Sequence, residues 1–211
     1  MGTAAAASAA QRLLQRGADM LVSCGCCAGL AADLHSGDVL LANRIDHVAG
    51  QTLPCHGDHM AIVHSHLAAH FGQLQPMLTH ADNPAASRYV VGKLLTVSKP
   101  IFDSKLKQQL AAQHEALAAD METFAVAQTA SAASIPFLAL RVVLDDCRQA
   151  LPAAVTASCD AFGTLPVRAL LQACWQRPAL VPELVALARS RSRAASSLRI
   201  LARIFHNLTP G

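Results

Sequence analysis

The sequence predicts a single α/β domain over residues 1–211, built as a three-layer α/β/α sandwich around a mainly parallel, mixed sheet. Strand-like and helix-like runs alternate along the chain, as they do in α/β folds. The run PFLALRVVL (136–144) is apolar along its whole length, which is typical of a strand buried on both faces. The composition, 53% hydrophobic and 15% charged, is that of a globular protein with a substantial core.

The elements follow one another in an order that supports this class. The runs that predict strands are 19–25, 37–45, 89–98 (one or two strands, interrupted by Gly92) and 136–144. The runs that predict helices are the Ala-rich start 4–17, then 57–72, 103–117, 121–134, 167–175 and the basic run 181–205. Pro152 and Pro166 mark a looser stretch before the last two helices.

Charge and composition exclude several classes of protein. Residues 183–211 carry five Arg and one Glu, whereas the rest of the chain is nearly neutral, so we expect no nucleic-acid binding. No apolar run reaches the roughly 20 residues that span a bilayer, and the start lacks the features of a secretory signal. Seven cysteines, an odd number, do not fit a disulfide framework. We therefore expect a cytoplasmic protein.

Acidic residues lie at the ends of two predicted elements. Glu122 is near the start of helix 121–134, and Asp145 and Asp146 follow strand 136–144 directly. Ligands of such folds bind outside the carboxyl ends of the strands, where the small-residue turn after strand 19–25 would also lie. An Asp pair at this place also fits the plain start of a loop, so the position alone does not decide between a site and a loop.

Three separated segments, in order, resemble a known enzyme superfamily. The stretch SCGCCAGLAADLHSGDVLLA (23–42) is similar to a Gly-x-x-Gly-Gly-Leu turn, and ADMETF is similar to a helix that begins with Met-Glu. The strand ending RVVLDD is similar to Arg-x-x-Ser-Asp. Over about residues 19–146 the chain therefore resembles the purine nucleoside phosphorylase and methylthioadenosine/adenosylhomocysteine nucleosidase superfamily. Its tail looks most like that of the hopanoid-associated phosphorylases, which act on adenosylhopane.

The resemblance implies roles for individual residues. Cleavage of a purine N-glycosidic bond needs a proton on the leaving base, a stabilised oxocarbenium-like sugar and a nucleophile. By resemblance, Asp145 donates the proton to purine N7, since a partly desolvated carboxyl group can keep a raised pKa. Glu122 would accept hydrogen bonds from the ribose hydroxyls, and Met121 would pack against the sugar.

Further contacts follow from the same resemblance. Gly25 and Gly29 would let the backbone turn tightly beside the ligand, and Cys26 takes the place of a Ser or Thr near the nucleophile. The segment VSKPIF (97–102) matches the lining of the base pocket, although ordinary core packing is an alternative for its apolar residues. The candidate base contacts are Pro100, Ile101 and Phe102.

The chain departs from the superfamily pattern at three places. Leu144 replaces the Ser that precedes the catalytic Asp, and Cys26 and Cys27 alter the usual turn. Relatives begin with an extra strand whose Gly-rich end supplies a nucleophile-binding group, and this sequence begins at the following helix. These departures favour an alternative in which the chain binds a nucleoside on the same fold with impaired catalysis.

A histidine-rich segment suggests a third class, a metal-binding protein. His66 and His70 are four residues apart on one helix face and could share a metal with Cys55 or His59. No HExxH or paired CxxC pattern is present, so a solvated or partner-facing helix fits better. We expect no metal and no cofactor, with phosphate as a co-substrate if the reaction is phosphorolysis.

The basic run 181–205 also allows two interpretations. It predicts a surface helix that packs an apolar stripe on the domain, with its arginines in solvent. Basic amphipathic helices also lie at anionic membranes, so the protein could be peripheral to the inner face of the membrane and meet a lipid-tailed substrate there. The functional expectation is a homo-oligomeric enzyme that cleaves a purine nucleoside, either adenosylhopane or methylthioadenosine/adenosylhomocysteine, with phosphate or water as nucleophile.

Overall fold

The computed structural model describes residues 2–73, 88–149 and 180–208. Its helices are α1 (Thr3–Gln15), α2 (Gly57–His70), α3 (Ser104–His114), α4 (Thr123–Ala132) and α5 (Leu180–Leu208). Its strands are β1 (Leu21–Gly29), β2 (Val39–His47), β3 (Thr52–Pro54), β4 (Gly72–Gln73), β5 (Arg88–Thr96), β6 (Ala118–Asp120) and β7 (Phe137–Asp145). The helix predicted at 167–175 and the prolines before it lie outside the described residues. None of the described helices is both long and apolar enough to cross a bilayer.

The seven described strands form one mixed sheet in the order β3-β2-β7-β1-β6-β5-β4. The parallel pairs are β1–β7, β2–β5, β4–β5 and β5–β6, and the antiparallel pairs are β1–β6, β2–β3 and β2–β7. The predicted α/β class with a mixed sheet is therefore confirmed. The additional pairing of β2 with β5 joins five strands into a closed ring, a closure that the periodicity of the sequence did not predict.

Strand β7 runs through the middle of the fold and is buried on both faces. Phe137 and Val143 pack in a hydrophobic cluster with residues of α1 and α4, such as Ala10 of α1. Leu138 and Leu140, which point to the other face, pack with residues of α2 and α5. This double burial explains why residues 136–144 read as one continuous apolar run.

Helix α3 lies over a third, smaller cluster beside the ends of the strands. Its first turn is capped by Asp103, whose side chain accepts a hydrogen bond from the Lys105 amide (2.9 Å). It ends at Glu115, which has a left-handed backbone (φ 52°). Leu110 packs onto a cluster that includes Val97. The helix was predicted to run to 117, but the left-handed residue stops it and the chain enters strand β6.

Several predicted boundaries were wrong for a physical reason. Strand β1 was predicted to end at Gly25 in a turn, but it pairs with β7 from Leu21 to Ala28 and continues to Gly29. Gly92 does not interrupt β5. An added Cβ there would lie 2.3 Å from the Leu117 side chain, so Gly92 provides the space in which that side chain packs. The short strands β3, β4 and β6 were not predicted.

Candidate active site

A cleft with a volume of about 250 Å³ lies where four strands end. Its lining comes from the end of β1, the end of β7, the residue after β5, and the segment from the end of β6 to the start of α4. This is the edge at which the sequence predicted a ligand site. The predicted site residues that line the cleft are Cys26, Pro100, Ile101, Phe102, Met121, Glu122 and Asp145.

One predicted site residue, Gly25, is not part of the lining. It lies inside β1, in register with Arg141 of β7, and an added Cβ would meet the Arg141 guanidinium at 3.4 Å. Gly25 therefore lies in a strand beside a buried cation rather than in a turn beside a ligand. Gly29 approaches β7 closely, since a Cβ there would lie 3.2 Å from the Asp145 carbonyl oxygen.

Asp145 forms a partly buried ion pair at the cleft. Its Oδ2 accepts a hydrogen bond from Nζ of Lys107, a residue of α3 whose side chain is fully buried. The same ammonium group donates to the carbonyl oxygens of Asp146 (2.8 Å) and Gln149 (3.0 Å). Burial raises the pKa of Asp145, and the Lys107 cation partly opposes that rise.

The neighbouring carboxylate has a different task. Asp146 Oδ1 accepts hydrogen bonds from the backbone amides of Arg148 (3.1 Å) and Gln149 (2.9 Å). These bonds form a turn of the kind that Asp side chains commonly stabilise. Asp146 does not line the cleft. The structure therefore separates a cleft-lining Asp145 from a turn-forming Asp146.

Glu122 lines the cleft at the start of α4, where it occupies the N-cap position without capping the helix. Burial, followed by the nearby Asp120 carboxylate, raises the pKa of Glu122. Met121, half-buried, packs against the small cluster under α3 and also lines the cleft. The cleft thus presents two carboxyl groups, Glu122 and Asp145, whose charged forms are both disfavoured by burial.

A buried ion pair between Asp120 and Arg141 holds this segment to the sheet. Arg141 Nε donates to Asp120 Oδ2 at 2.9 Å, and Arg141 also donates to Ser23 Oγ (2.6 Å) and to Thr123 Oγ1. Asp120 Oδ2 accepts from the Thr123 amide (3.0 Å) and hydroxyl, and Asp120 Oδ1 accepts from Thr96 Oγ1 (2.8 Å). The network links β1, β5, β6, β7 and α4 immediately before Met121 and Glu122.

Three of these residues were not singled out from the sequence. Arg141 carried a signal, because a lone cation inside an apolar strand requires a buried partner. Asp120 also carried one, since an Asp three residues before Thr123 fits a helix start. Lys107 carried no signal, because nothing in SKLKQQL distinguishes it from the exposed Lys105.

The rest of the lining is mainly apolar. Cys26 lies near the end of β1, and burial raises the pKa of its thiol while Arg141 opposes the rise. Leu144, at the position where the resemblance in sequence implied a Ser, also lines the cleft. Few polar groups on an apolar wall are typical of small-molecule sites.

The histidine-rich helix α2 has a different arrangement. His66 Nδ1 is 2.9 Å from the Ile62 carbonyl oxygen, and His70 Nδ1 is 3.0 Å from the His66 carbonyl oxygen. Across residues 2–73, 88–149 and 180–208, no three His, Cys, Asp or Glu side chains are grouped so that they could hold a metal ion. The metal-binding alternative therefore gains no support from the described residues.

These features define an α/β protein with a small-molecule cleft that contains two acids at the carboxyl edge of its sheet. The phosphorylase superfamily profile matches residues 1–172, and the chain belongs to that superfamily. Among proteins with curated descriptions, none is similar enough in sequence to be matched.

Solved structures with the same fold include several nucleosidases. The chain is similar to the 5'-methylthioadenosine/S-adenosylhomocysteine nucleosidase of Helicobacter pylori (13% identity, TM-score 0.61, 98% of this chain and 77% of that one). It is also similar to the same enzyme of Neisseria meningitidis (21%, 0.57, 70% and 65%). A third similar structure is a futalosine hydrolase mutant of H. pylori (14%, 0.54, 68% and 66%). The chain thus spans about two thirds of the length of the last two relatives.

Proposed function

We propose that the protein cleaves the N-glycosidic bond of a purine nucleoside in the cleft between β1, β6 and β7. The observation that carries this proposal is the placement of Asp145 and Glu122 in one mainly apolar cleft, together with Met121. Membership of the phosphorylase superfamily supports the class of reaction. The names of the similar solved structures, which are nucleosidases and a hydrolase, support it further.

The roles of the two acids follow from their surroundings. Asp145 is the proposed general acid, because burial raises its pKa and a protonated carboxyl group can donate to the leaving purine at N7. Glu122 is the proposed acceptor of hydrogen bonds from the ribose hydroxyls. Two carboxyl groups whose different environments assign them different tasks are a common arrangement in active sites.

The apolar lining is proposed to hold the base and the sugar. Pro100, Ile101 and Phe102 line the cleft, and Met121 lines it next to Glu122 in the sequence. Ile101 is buried and Phe102 half-buried, so both residues combine core packing with contact to the cleft. We propose that they contact the purine and that Met121 contacts the ribose, while Cys26 faces the side from which phosphate or water attacks.

Two substrate classes are proposed. The first is adenosylhopane, which the tail of the chain suggests by resemblance. The second is methylthioadenosine or adenosylhomocysteine, named in the similar structures. A nucleoside-binding protein with impaired catalysis is a second candidate function, favoured by Leu144 in the position of a Ser. Adenine release from each nucleoside, measured with and without phosphate, separates these proposals and identifies the nucleophile.

Helix α5 is proposed to contact anionic lipid by charge alone. Its residues Ala194, Leu201 and Ile204 are buried against the sheet, so this apolar stripe is not free to enter a bilayer. Its five arginines are exposed, namely Arg189, Arg191, Arg193, Arg199 and Arg203. We propose further that the protein is a cytoplasmic homo-oligomer that binds peripherally to the membrane. Light scattering would test the oligomeric state, and vesicle binding would test the membrane contact.

A further inference from the structure

Lys107 lies in the first turn of α3 and is unusual for a lysine. Its side chain is fully buried, whereas its neighbours Lys105, Leu106 and Gln108 on α3 are exposed. A buried ammonium group is expensive unless every proton has an acceptor. Lys107 meets that condition with three acceptors, all of them in the segment from Asp145 to Gln149.

The three bonds have two geometric consequences. They attach the segment that follows β7 to α3, which fixes the course of the chain directly after Asp145. They also occupy Asp145 Oδ2, whereas Asp145 Oδ1 has no hydrogen-bond partner among the described residues. Since Asp145 lines the cleft, we expect Oδ1 to be the oxygen that a bound ligand would meet.

We propose that Lys107 is a positioning residue of this site, which orients the Asp145 carboxyl group and stabilises the carboxylate left after proton transfer to the leaving base. This inference rests on the proposed function. In the step concerned, the proton passes from Asp145 to purine N7, and the C1'–N9 bond breaks with its electron pair moving to the base. Phosphate or water forms the new bond to C1'. An attacking water loses one proton to solvent, and Asp145 regains its proton from solvent before the next turnover. Lys107 keeps its three protons throughout.

The charges around Asp145 explain why such a residue is needed. The groups near it are Lys107 from α3, Asp146 from the following turn, and the Cys26 and Cys27 thiols of β1. Glu122 lines the same cleft. Among the groups that act on Asp145 itself only Lys107 carries a positive charge, whereas Arg141 and Arg191 act on the neighbouring Cys26 thiol. Without Lys107, burial and Asp146 would together hold the proton on Asp145, which would make Asp145 a weaker acid.

Kinetics of Lys107→Met provide the first test, with Lys105→Met as a matched control on the same helix. Lys107→Met should lower kcat by about tenfold or more, the scale at which a mistuned general acid affects rate. It should also move the alkaline limb of the kcat/KM profile to higher pH, because Asp145 then releases its proton less readily. Lys107→Arg, which keeps the charge, should restore part of the rate, and Lys105→Met should behave like the wild type.

A double variant separates positioning from a purely structural role. In an Asp145→Asn background, Lys107→Met should cause no further loss of kcat, because the residue acts through the Asp145 carboxyl group. A loss of equal size in both backgrounds, with an unchanged pH profile, would overturn the proposal and leave Lys107 with a folding role only.

A titration that needs no activity completes the design. Carbon-13 NMR of the Asp145 carboxyl carbon, assigned by its absence in Asp145→Asn, reports the pKa directly. Lys107→Met should raise the proton affinity of Asp145 by about tenfold or more, and an unchanged titration would overturn the proposal. If the wild-type chain releases no base from any nucleoside, the proposed function fails on its own. The titration then still decides whether Lys107 controls Asp145.

Discussion

Removal of Asp120 should destabilise the fold much more than removal of a comparable surface acid or base. The side chains of Asp120 and Arg141 are 1% and 4% exposed, and Asp120 accepts hydrogen bonds from Arg141, Thr96 and Thr123. Asp120→Ala would leave the Arg141 guanidinium buried without its carboxylate. Loss of one partner of a buried pair costs about 3–5 kcal/mol, a large part of the roughly 5–15 kcal/mol that stabilises a typical domain.

Urea unfolding, followed by circular dichroism, measures this effect, and the more exposed pair of Arg44 and Asp46 is the matched control. The Arg44 side chain is 48% exposed, and its Nε lies 3.2 Å from Asp46, so Arg44→Ala should cost about 0–1 kcal/mol. Asp120→Ala combined with Arg141→Met should recover much of the lost stability, since apolar replacements of buried pairs are often neutral. A loss below about 1 kcal/mol for Asp120→Ala alone would refute this reasoning.

Three further predictions concern the cleft and the tail. Glu122→Gln should match or exceed the wild type in Tm at pH 7–8 and lose that advantage below pH 4.5. The reason is that the pKa of Glu122 is raised, so the folded state disfavours the charged carboxylate. A lower Tm of Glu122→Gln at neutral pH would contradict this direction of the effect. A bound nucleoside should protect Cys26 from alkylation, mapped by mass spectrometry, but not Cys24, which does not line the cleft. Among the described cysteines Cys27 should react least, because it is buried and burial raises the pKa of its thiol well above the usual range. Changing Arg189, Arg191 and Arg193 to Gln should abolish sedimentation with anionic vesicles at low salt, since each basic residue contributes about 1 kcal/mol to the free energy of binding at such a surface. If the unchanged chain does not sediment with these vesicles, the proposed lipid contact is refuted.

The sequence could predict the parts of the fold in which local pattern and tertiary environment agree. Residues 136–144 are apolar at every position because β7 is buried on both faces. Helix α5 was predicted at 181–205 and spans Leu180–Leu208, because its apolar residues recur at helical spacing. Glu122 and Asp145 were expected at the site from the resemblance to the superfamily, because their positions at a helix start and a strand end did not decide between a site and a loop, and both line the cleft.

Other features depend on contacts that no local pattern records. Residues 25–29, rich in Gly and Cys, predict a turn, yet they form the end of β1 because β7 supplies a pairing partner. Lys107 has the same local sequence character as Lys105, and only the arrival of the chain after β7 buries it. The pairing of β2 with β5, which closes the ring of strands, is likewise a long-range event.

Adenine release by the purified chain tests the central claim most directly. The wild type, Asp145→Asn and Asp146→Asn would be compared by chromatography on adenosylhopane, methylthioadenosine and adenosine, with and without phosphate. We predict base release by the wild type, a loss of about 10²–10⁴-fold in Asp145→Asn, and near wild-type rates in Asp146→Asn, whose side-chain oxygen can still accept the turn hydrogen bonds. Equal losses in both variants, or no release from any of the three nucleosides by the wild type, would contradict it.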